Sequence, residues 1–455
     1  MRNRSKKIVS SKAEVTEINT GVKLWNRAKQ IIPGGNQLLS KRSDRFLPDL
    51  WPSYYKKAKG VEVWDLDNNH YIDMSIMGIG ACSLGYADKD VSAAVIDAVR
   101  KGSMCTLNCY EEVELAELLL KIEPWADMMR FSRTGGEACA MASRIARAAT
   151  RRDKIAFCGY HGWGDWYLAA NLADDKNLDG HLLPGLSPRG VPRNLKGTAI
   201  PFNYNDTEAI RKICDIYGSE LAAIMMEPVR SFSPDNKFLK QVRKLADKTG
   251  AALIFDEVTS GWRLNWGGAH KLYEVNPDIL VFAKAMGNGH PISAVLGTRE
   301  VMEAVQDTFI SSTYWTERVG FAAALATIEK MKRVKSAEHM IKIGNRISKG
   351  WKECAKSNDL KIHVVGIPPM TTCVFDFKGT VPLELQTLFT QEMINRGYLG
   401  WTHVYTAYKH TNEIVDRYME EVDEIFKIMR KGLEKKNIRR LLKGPIATAG
   451  FARLA

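Results

Sequence analysis

The chain of 455 residues has no apolar run long enough to span a bilayer, and no apolar region follows its basic opening "MRNRSKKIVSSK". Membrane insertion and secretion are therefore not expected, and a cytoplasmic location is. Cysteine is sparse at eight residues, with no C-x-x-C pair, and most of it lies inside apolar segments such as "EACAMASR" and "KIAFCGY". That pattern suits reduced, structural thiols and predicts no metal site. No zinc-finger spacing or aromatic-rich RNA-binding signature accompanies the net charge of +13. The excess of Lys and Arg, much of it in the N-terminal arm and in "KGLEKKNIRRLLKG", reads as solvated faces that attract anionic small molecules, with no nucleic acid as partner. Internal repeats and low-complexity linkers are absent, and so is the order G-x-G-x-x-G in the glycine turn at Thr134, which excludes a dinucleotide fingerprint there.

What is present is an alternation. After a helical stretch "VKLWNRAKQII", stopped by Pro33-Gly34-Gly35, and a hairpin pattern in "GVEVWDLDNNHYIDM", short apolar runs alternate with amphipathic helices. The runs are "MMRFS", "KIAFC", "GTAIPF", "AAIMMEP", "ALIFDE", "DILVFAK" and "ISAVLG". They are continuous rather than alternating, as in strands covered on both faces, so an α/β domain with a mainly parallel central sheet is predicted. The expected organisation is an N-terminal segment (1–75), a large domain (76–325) and a smaller C-terminal α+β domain (326–455).

Three of these runs end in charge: Glu227, Asp256 and Lys284. Ligands of parallel sheets sit beyond the carboxyl ends of the strands, so these residues should converge. A buried acid needs a cationic partner, and a buried lysine tends toward a lowered pKa and nucleophilic character. A protonated pyridine nitrogen and an aldehyde would satisfy the two, which is what pyridoxal 5'-phosphate (PLP) offers. "MMRFSRTGGEACAMASRIARAAT" reads as strand, turn and helix, so Thr134-Gly135-Gly136 lies at a helix N-terminus suited to a phosphate. The run "KIAFCGYHGW" ends near Tyr160-His161, where an aromatic could stack on a flat heterocycle.

With these segments in order, the chain resembles the class III PLP-dependent aminotransferases, and within that class it is most similar to the glutamate-1-semialdehyde 2,1-aminomutases. The resemblance runs from "IPGG" through "TGGEACAMASRIARAATRRDKI", "YHGW", "EPV", "IFDEVTSGWR" and "AKAMGNGHPISAVLG" into the C-terminal domain. It implies PLP fold type I and a homodimer with active sites at the subunit interface. It also implies that Lys284 forms the Schiff base and moves protons, that Asp256 keeps the ring nitrogen protonated, and that Tyr160 and Val258 cover the two ring faces. Thr134, Gly135 and Gly136 would hold the phosphate, with Thr313 in "SSTYWT" reaching the neighbouring subunit's phosphate.

Several positions depart from the family pattern. Gly136 stands where the phosphate turn usually carries a hydroxyl. "WTERVG" replaces Gly-Asn-Pro and is expected to bring Glu317 and Arg318 beside the pocket. The substrate-carboxylate arginine falls near Lys41-Arg42, and "YLGWTHVYTAYKH" lacks the aminomutase glutamate. The expected activity is amino transfer between an amino acid donor and a carbonyl acceptor with an anionic or sugar-like group, with intramolecular amine transfer as the alternative. A catalytically idle binding or scaffold protein is the alternative of another class, and Lys284 together with Asp256 argues against it.

Overall fold

The computed structural model describes residues 20–230, 233–235 and 237–450. The basic opening segment lies outside the described residues. The chain enters through a helix, Thr20–Ile31, which buries Val22, Trp25 and Ala28. Three antiparallel strands follow: β1 (Tyr55–Lys59), β2 (Glu62–Asp65) and β3 (His70–Met74). The turn between β2 and β3 is held by Asp65, whose Oδ1 accepts the backbone N–H groups of Asp67 and Asn69 at 2.9 and 2.8 Å.

The seven apolar runs become β4 (Met128–Ser132), β5 (Lys154–Cys158), β6 (Ala199–Pro201), β7 (Leu221–Met226), β8 (Ala252–Asp256), β9 (Ile279–Phe282) and β10 (Ser293–Gly297). They form one sheet in the order β4-β10-β9-β8-β7-β5-β6. Only β10 runs against its neighbours, pairing antiparallel with both β4 and β9. Every residue of β7, β8, β9 and β10 is buried, as the uninterrupted apolar runs require. Side chains alternate between two apolar layers: Ile224, Met226, Leu253 and Phe255 enter one, and Ala223, Met225, Ala252 and Ile254 the other.

The remaining strands are β11 (Ile362–Ile367), β12 (Met370–Phe375), β13 (Tyr398–Gly400) and β14 (His403–Tyr405). β11, β12 and β14 make an antiparallel sheet. It packs with the helices Ser336–Ser357, Val381–Asn395 and Asn412–Glu434 around Ile347, Trp351, Phe389 and Phe426. β13 leaves that sheet and pairs parallel with β3, so N-terminal and C-terminal segments share one sheet. Among the described residues no helix is long and apolar enough to cross a membrane.

Candidate active site

At the carboxyl ends of β7, β8 and β9 the three charges are gathered. Asp256 is the last residue of β8 and only 3% exposed. Its Oδ2 accepts from His161 Nδ1 at 2.8 Å and from the Cys139 thiol at 3.3 Å, and its Oδ1 from the Val258 N–H at 3.0 Å. Burial alone would raise this carboxyl, but the bond and charge of His161, with the Val258 amide and Cys139, outweigh it and hold Asp256 below its ordinary range. His161 Nε2 faces the Cys158 carbonyl at 3.1 Å, so the ring is fixed at both nitrogens.

Lys284 lies two residues beyond β9, in left-handed backbone at φ 44°. Left-handed backbone is uncommon for a side chain of this size, and it fixes where the side chain leaves the strand end. Its Nζ donates to Thr259 Oγ1 at 2.7 Å. Desolvation pushes the amine down to about 8, against the upward pull of Glu227 and Asp256 and with Arg263 and Arg230 assisting. Near neutral pH such an amine keeps a far larger neutral, nucleophilic fraction than an ordinary lysine.

Thr134 caps the helix Gly135–Thr150 through a reciprocal capping box with Glu137. The first-turn amides of Gly135 and Gly136 have no carbonyl within the helix to bond and are open to an anion. A Cβ at Gly135 would lie 2.8 Å from Val258 Cγ1, and one at Gly162 would lie 2.8 Å from the Gly136 Cα. Glycine is thus what lets the phosphate turn, Val258 and the loop after β5 close on one another. Glu227 accepts from the Tyr160 N–H and from Arg230 Nη1, each at 3.0 Å, tying the Tyr160 backbone to the end of β7. Burial raises the Tyr160 phenol, with Cys139 and Asp256 adding to the shift, so the ring stays neutral. An ionised buried acid, an amine near 8, an aromatic and an anion cradle are the donor set a protonated pyridine aldehyde with a phosphate requires, and the residues fit PLP.

The structure does not bring every expected side chain here. Arg42 is buried and forks onto Asp44, at 2.9 and 2.7 Å, and Asp44 also accepts from Thr448 at 2.6 Å. Lys41 is exposed on a neighbouring turn, and its charge reaches the Cys82 thiol. Glu317 is not free for substrate: it caps the helix Arg318–Arg333 by accepting the Val319 and Gly320 N–H groups. Arg318 is engaged with Glu111 at 2.6 and 2.9 Å and lies over the Tyr110 ring. Thr313 is exposed on a short turn, Thr313–Thr316. Sequence reasoning missed Thr259, Cys139, Arg263 and Arg230. Arg263 is fully buried and donates to the carbonyls of Thr259 and Gly80, bracing the segment that meets Lys284. Cys139, Thr259 and Arg263 lie inside the quoted "TGGEACAMASRIARAATRRDKI" and "IFDEVTSGWR", and Arg230 directly follows "EPV"; that position was the signal available.

Fold and site together define an enzyme of the PLP-dependent transferase kind, with the chemistry at the strand ends of a mainly parallel sheet. Comparison with known proteins narrows this. The chain matches the aminotransferase class-III family over residues 48–424 and belongs to it. It is 30% identical to the 3-aminobutyryl-CoA aminotransferase of Cloacimonas acidaminovorans, over 92% of this chain and 100% of that protein. It is 31% identical to the glutamate-1-semialdehyde 2,1-aminomutase of Clostridium perfringens, over 87% of this chain and 97% of that one. Among solved structures, the FumI protein of Sphingopyxis sp. MTA144, in its PLP form, superposes with a TM-score of 0.81 at 25% identity, covering 91% of this chain and 97% of that one. The protein is a class III, PLP-dependent aminotransferase, and its substrates are a small-molecule amino donor and a carbonyl compound.

Proposed function

We propose that the protein moves an amino group between an amino acid donor and a separate carbonyl acceptor bearing an anionic group, as a homodimer in the cytoplasm. The observation that carries the reading is the pairing of a buried carboxyl held ionised, Asp256, with a lysine lowered to about 8 at the end of the adjacent strand. When bound, PLP supplies a carbonyl that links covalently to amines and a ring that accepts electrons. Asp256 would face the ring nitrogen and keep its proton in place, while His161 and Cys139 hold the acid's orientation. Lys284 would bind first and then carry a proton between neighbouring atoms of the substrate, with Thr259 fixing its resting position. Tyr160 and Val258 would exclude water from the two ring faces, and Thr134, Gly135 and Gly136 would hold the phosphate.

The homodimer is supported by exposed apolar side chains around the phosphate turn. Trp163 is 75% exposed, and its indole lies 3.4 Å from a Cβ built at Gly136. Phe309 and Tyr314 are 84% and 68% exposed, and their carbonyls are held by Arg144, on the helix that follows the turn, and by Arg133, which directly precedes it. Such a patch is unusual for a monomer, and Thr313 sits within it, as a residue serving the partner's site would. All eight cysteines are free, which agrees with a reducing compartment.

The deciding experiment offers the PLP-loaded enzyme a panel of amino acids with carboxylated or phosphorylated carbonyl acceptors, and glutamate-1-semialdehyde alone beside them. Donor-dependent amination with release of a keto acid supports the reading. Rapid donor-free formation of 5-aminolevulinate would replace it with intramolecular amine transfer.

A further inference from the structure

Beyond the carboxyl ends of β5 and β7 lies a cavity of about 230 Å³, lined by Gly159, His181, Asn203, Tyr204, Glu227 and Arg230 among others. It lies directly behind the backbone of Tyr160. Glu227 bonds the Tyr160 N–H, and the neighbouring Gly159 N–H donates to His181 Nδ1 at 3.2 Å. That second bond settles the histidine's tautomer. Burial, with the charges of His161 and Arg230, pushes His181 down to about 4, so the ring is neutral at pH 7. Its Nδ1 is the acceptor, and its single proton is therefore on Nε2. His181 is 9% exposed, and among the described residues its Nε2 has no hydrogen-bond partner.

Arg230 presents a second donor edge to the same space. Its bonds, to Glu227 Oε2 at 3.0 Å and to the His181 carbonyl at 3.2 Å, both leave from Nη1. Among the described residues Nε and Nη2 have no partner, and the side chain is 40% exposed. That edge is the planar two-donor fork that matches a carboxylate. The Glu227 charge lies on the Nη1 side and is offset there by Arg230 and by the Tyr160 amide. Arg230 is also within electrostatic reach of the reaction, since its charge acts on Lys284 and on the Tyr405 phenol.

We infer that this cavity is a carboxylate subsite: the free edge of Arg230 and the Nε2–H of His181 together hold a carboxylate borne by the substrate, remote from its reacting nitrogen or carbonyl. The inference rests on the aminotransferase reading and deepens it. It gives the recognition of an anionic group to Arg230 in place of Arg42 and Arg318, whose guanidinium groups are engaged elsewhere.

Two measurements on the PLP-loaded enzyme test it. In the first, succinate, which cannot react, is titrated calorimetrically into the wild type and into Arg230→Gln, Arg230→Lys and His181→Phe. The expected result is a saturable site weakened about ten- to hundredfold in Arg230→Gln, less in Arg230→Lys, which keeps the charge without the fork, and severalfold in His181→Phe. In the second, 4-aminobutyrate and butylamine are compared as donors, and the ratio of their kcat/KM values should collapse toward one in Arg230→Gln, mainly through KM. Succinate binding of equal strength in the wild type and in all three variants would overturn the subsite, and so would an unchanged donor ratio. Should Arg230→Gln fail to fold, His181→Phe and Arg230→Lys carry the same decision. Failure of every donor to transfer an amino group would sink the aminotransferase reading and leave the succinate titration to judge the cavity by itself.

Discussion

Gly135 offers a sharp test of how the phosphate turn is built, because two effects of opposite sign meet there. Alanine is the better helix former, and Gly135→Ala at the start of a 16-residue helix should gain at most about 1 kcal/mol on that account. Against this, the new Cβ would stand 2.8 Å from Val258 Cγ1 and 3.1 Å from Cγ2. Reaching an ordinary contact of 3.4 Å requires Val258 to retreat by 0.6 Å, the difference between 3.4 and 2.8 Å. Valine is stiff about χ1, and its backbone N–H is tied to Asp256 Oδ1 at 3.0 Å, so the retreat moves the segment that holds the acid. Overpacking of this kind costs about 1–3 kcal/mol, and the steric term wins. The expected outcome is a modest loss of thermal stability and PLP retention weakened about tenfold, each factor of ten corresponding to about 1.4 kcal/mol. Equilibrium dialysis of PLP and a melting curve measure the two. Val258→Ala in the Gly135→Ala background should recover part of both losses, as a double-mutant cycle on a touching pair requires. Undiminished PLP retention in Gly135→Ala, or no recovery in the double variant, would refute the reasoning.

Three further outcomes are expected. Because the Lys284 amine sits near 8 and only its neutral form attacks, PLP uptake by the apoprotein should accelerate with pH and level off above about 8; stopped-flow rates with a midpoint near the ordinary lysine value would contradict this. Asp256→Asn keeps the shape and drops the charge, so turnover should fall by roughly a hundredfold or more while PLP stays bound, and normal turnover would remove the acid from the mechanism. His270 is buried between Glu123 and Glu257. Burial opposes its charging, but the two carboxylates prevail and raise it to about 9, above its ordinary 6.5. The stabilisation this supplies is complete below pH 6.5 and is lost as pH rises through about 9, amounting to about 3 kcal/mol at most. Urea midpoints from pH 6 to 9.5 should fall more steeply in the wild type than in His270→Gln, and parallel curves would count against the assignment.

The central sheet was legible because its strands are covered on both faces, so burial alone writes them as unbroken apolar runs. The gathering of Glu227, Asp256 and Lys284 follows from where parallel strands end, and a local pattern is enough to see it. The misplaced charges were of another kind. Arg318 meets Glu111 only through tertiary folding, and nothing near Arg318 in sequence announces that partner. Glu317 is an N-cap without the usual Ser, Thr, Asp or Asn, so its two bonds to Val319 and Gly320 were not read from the residue type. Arg42 has its partner two residues away in Asp44, yet proximity in a basic stretch gives no geometry, and the fork appears only with the fold. The three-residue β13 is too short for any periodicity to reveal.

The pairing of β13 with β3 bears on how the chain acquires its structure. Tyr398 to Gly400 lie beside Ile72 to Met74, and His410 Nε2 donates to the Asp73 carbonyl at 2.8 Å. The β1–β3 ribbon emerges from the ribosome long before the strand that covers its edge, since β3 ends at Met74 and β13 begins at Tyr398. Until then β3 has an open edge able to pair with another chain, and closing the long intervening loop is entropically costly and slow. Aggregation during expression should therefore depend on the time between the two segments' synthesis, and a truncation before β13 would leave the large sheet's core intact while exposing a sticky edge at the other end of the chain.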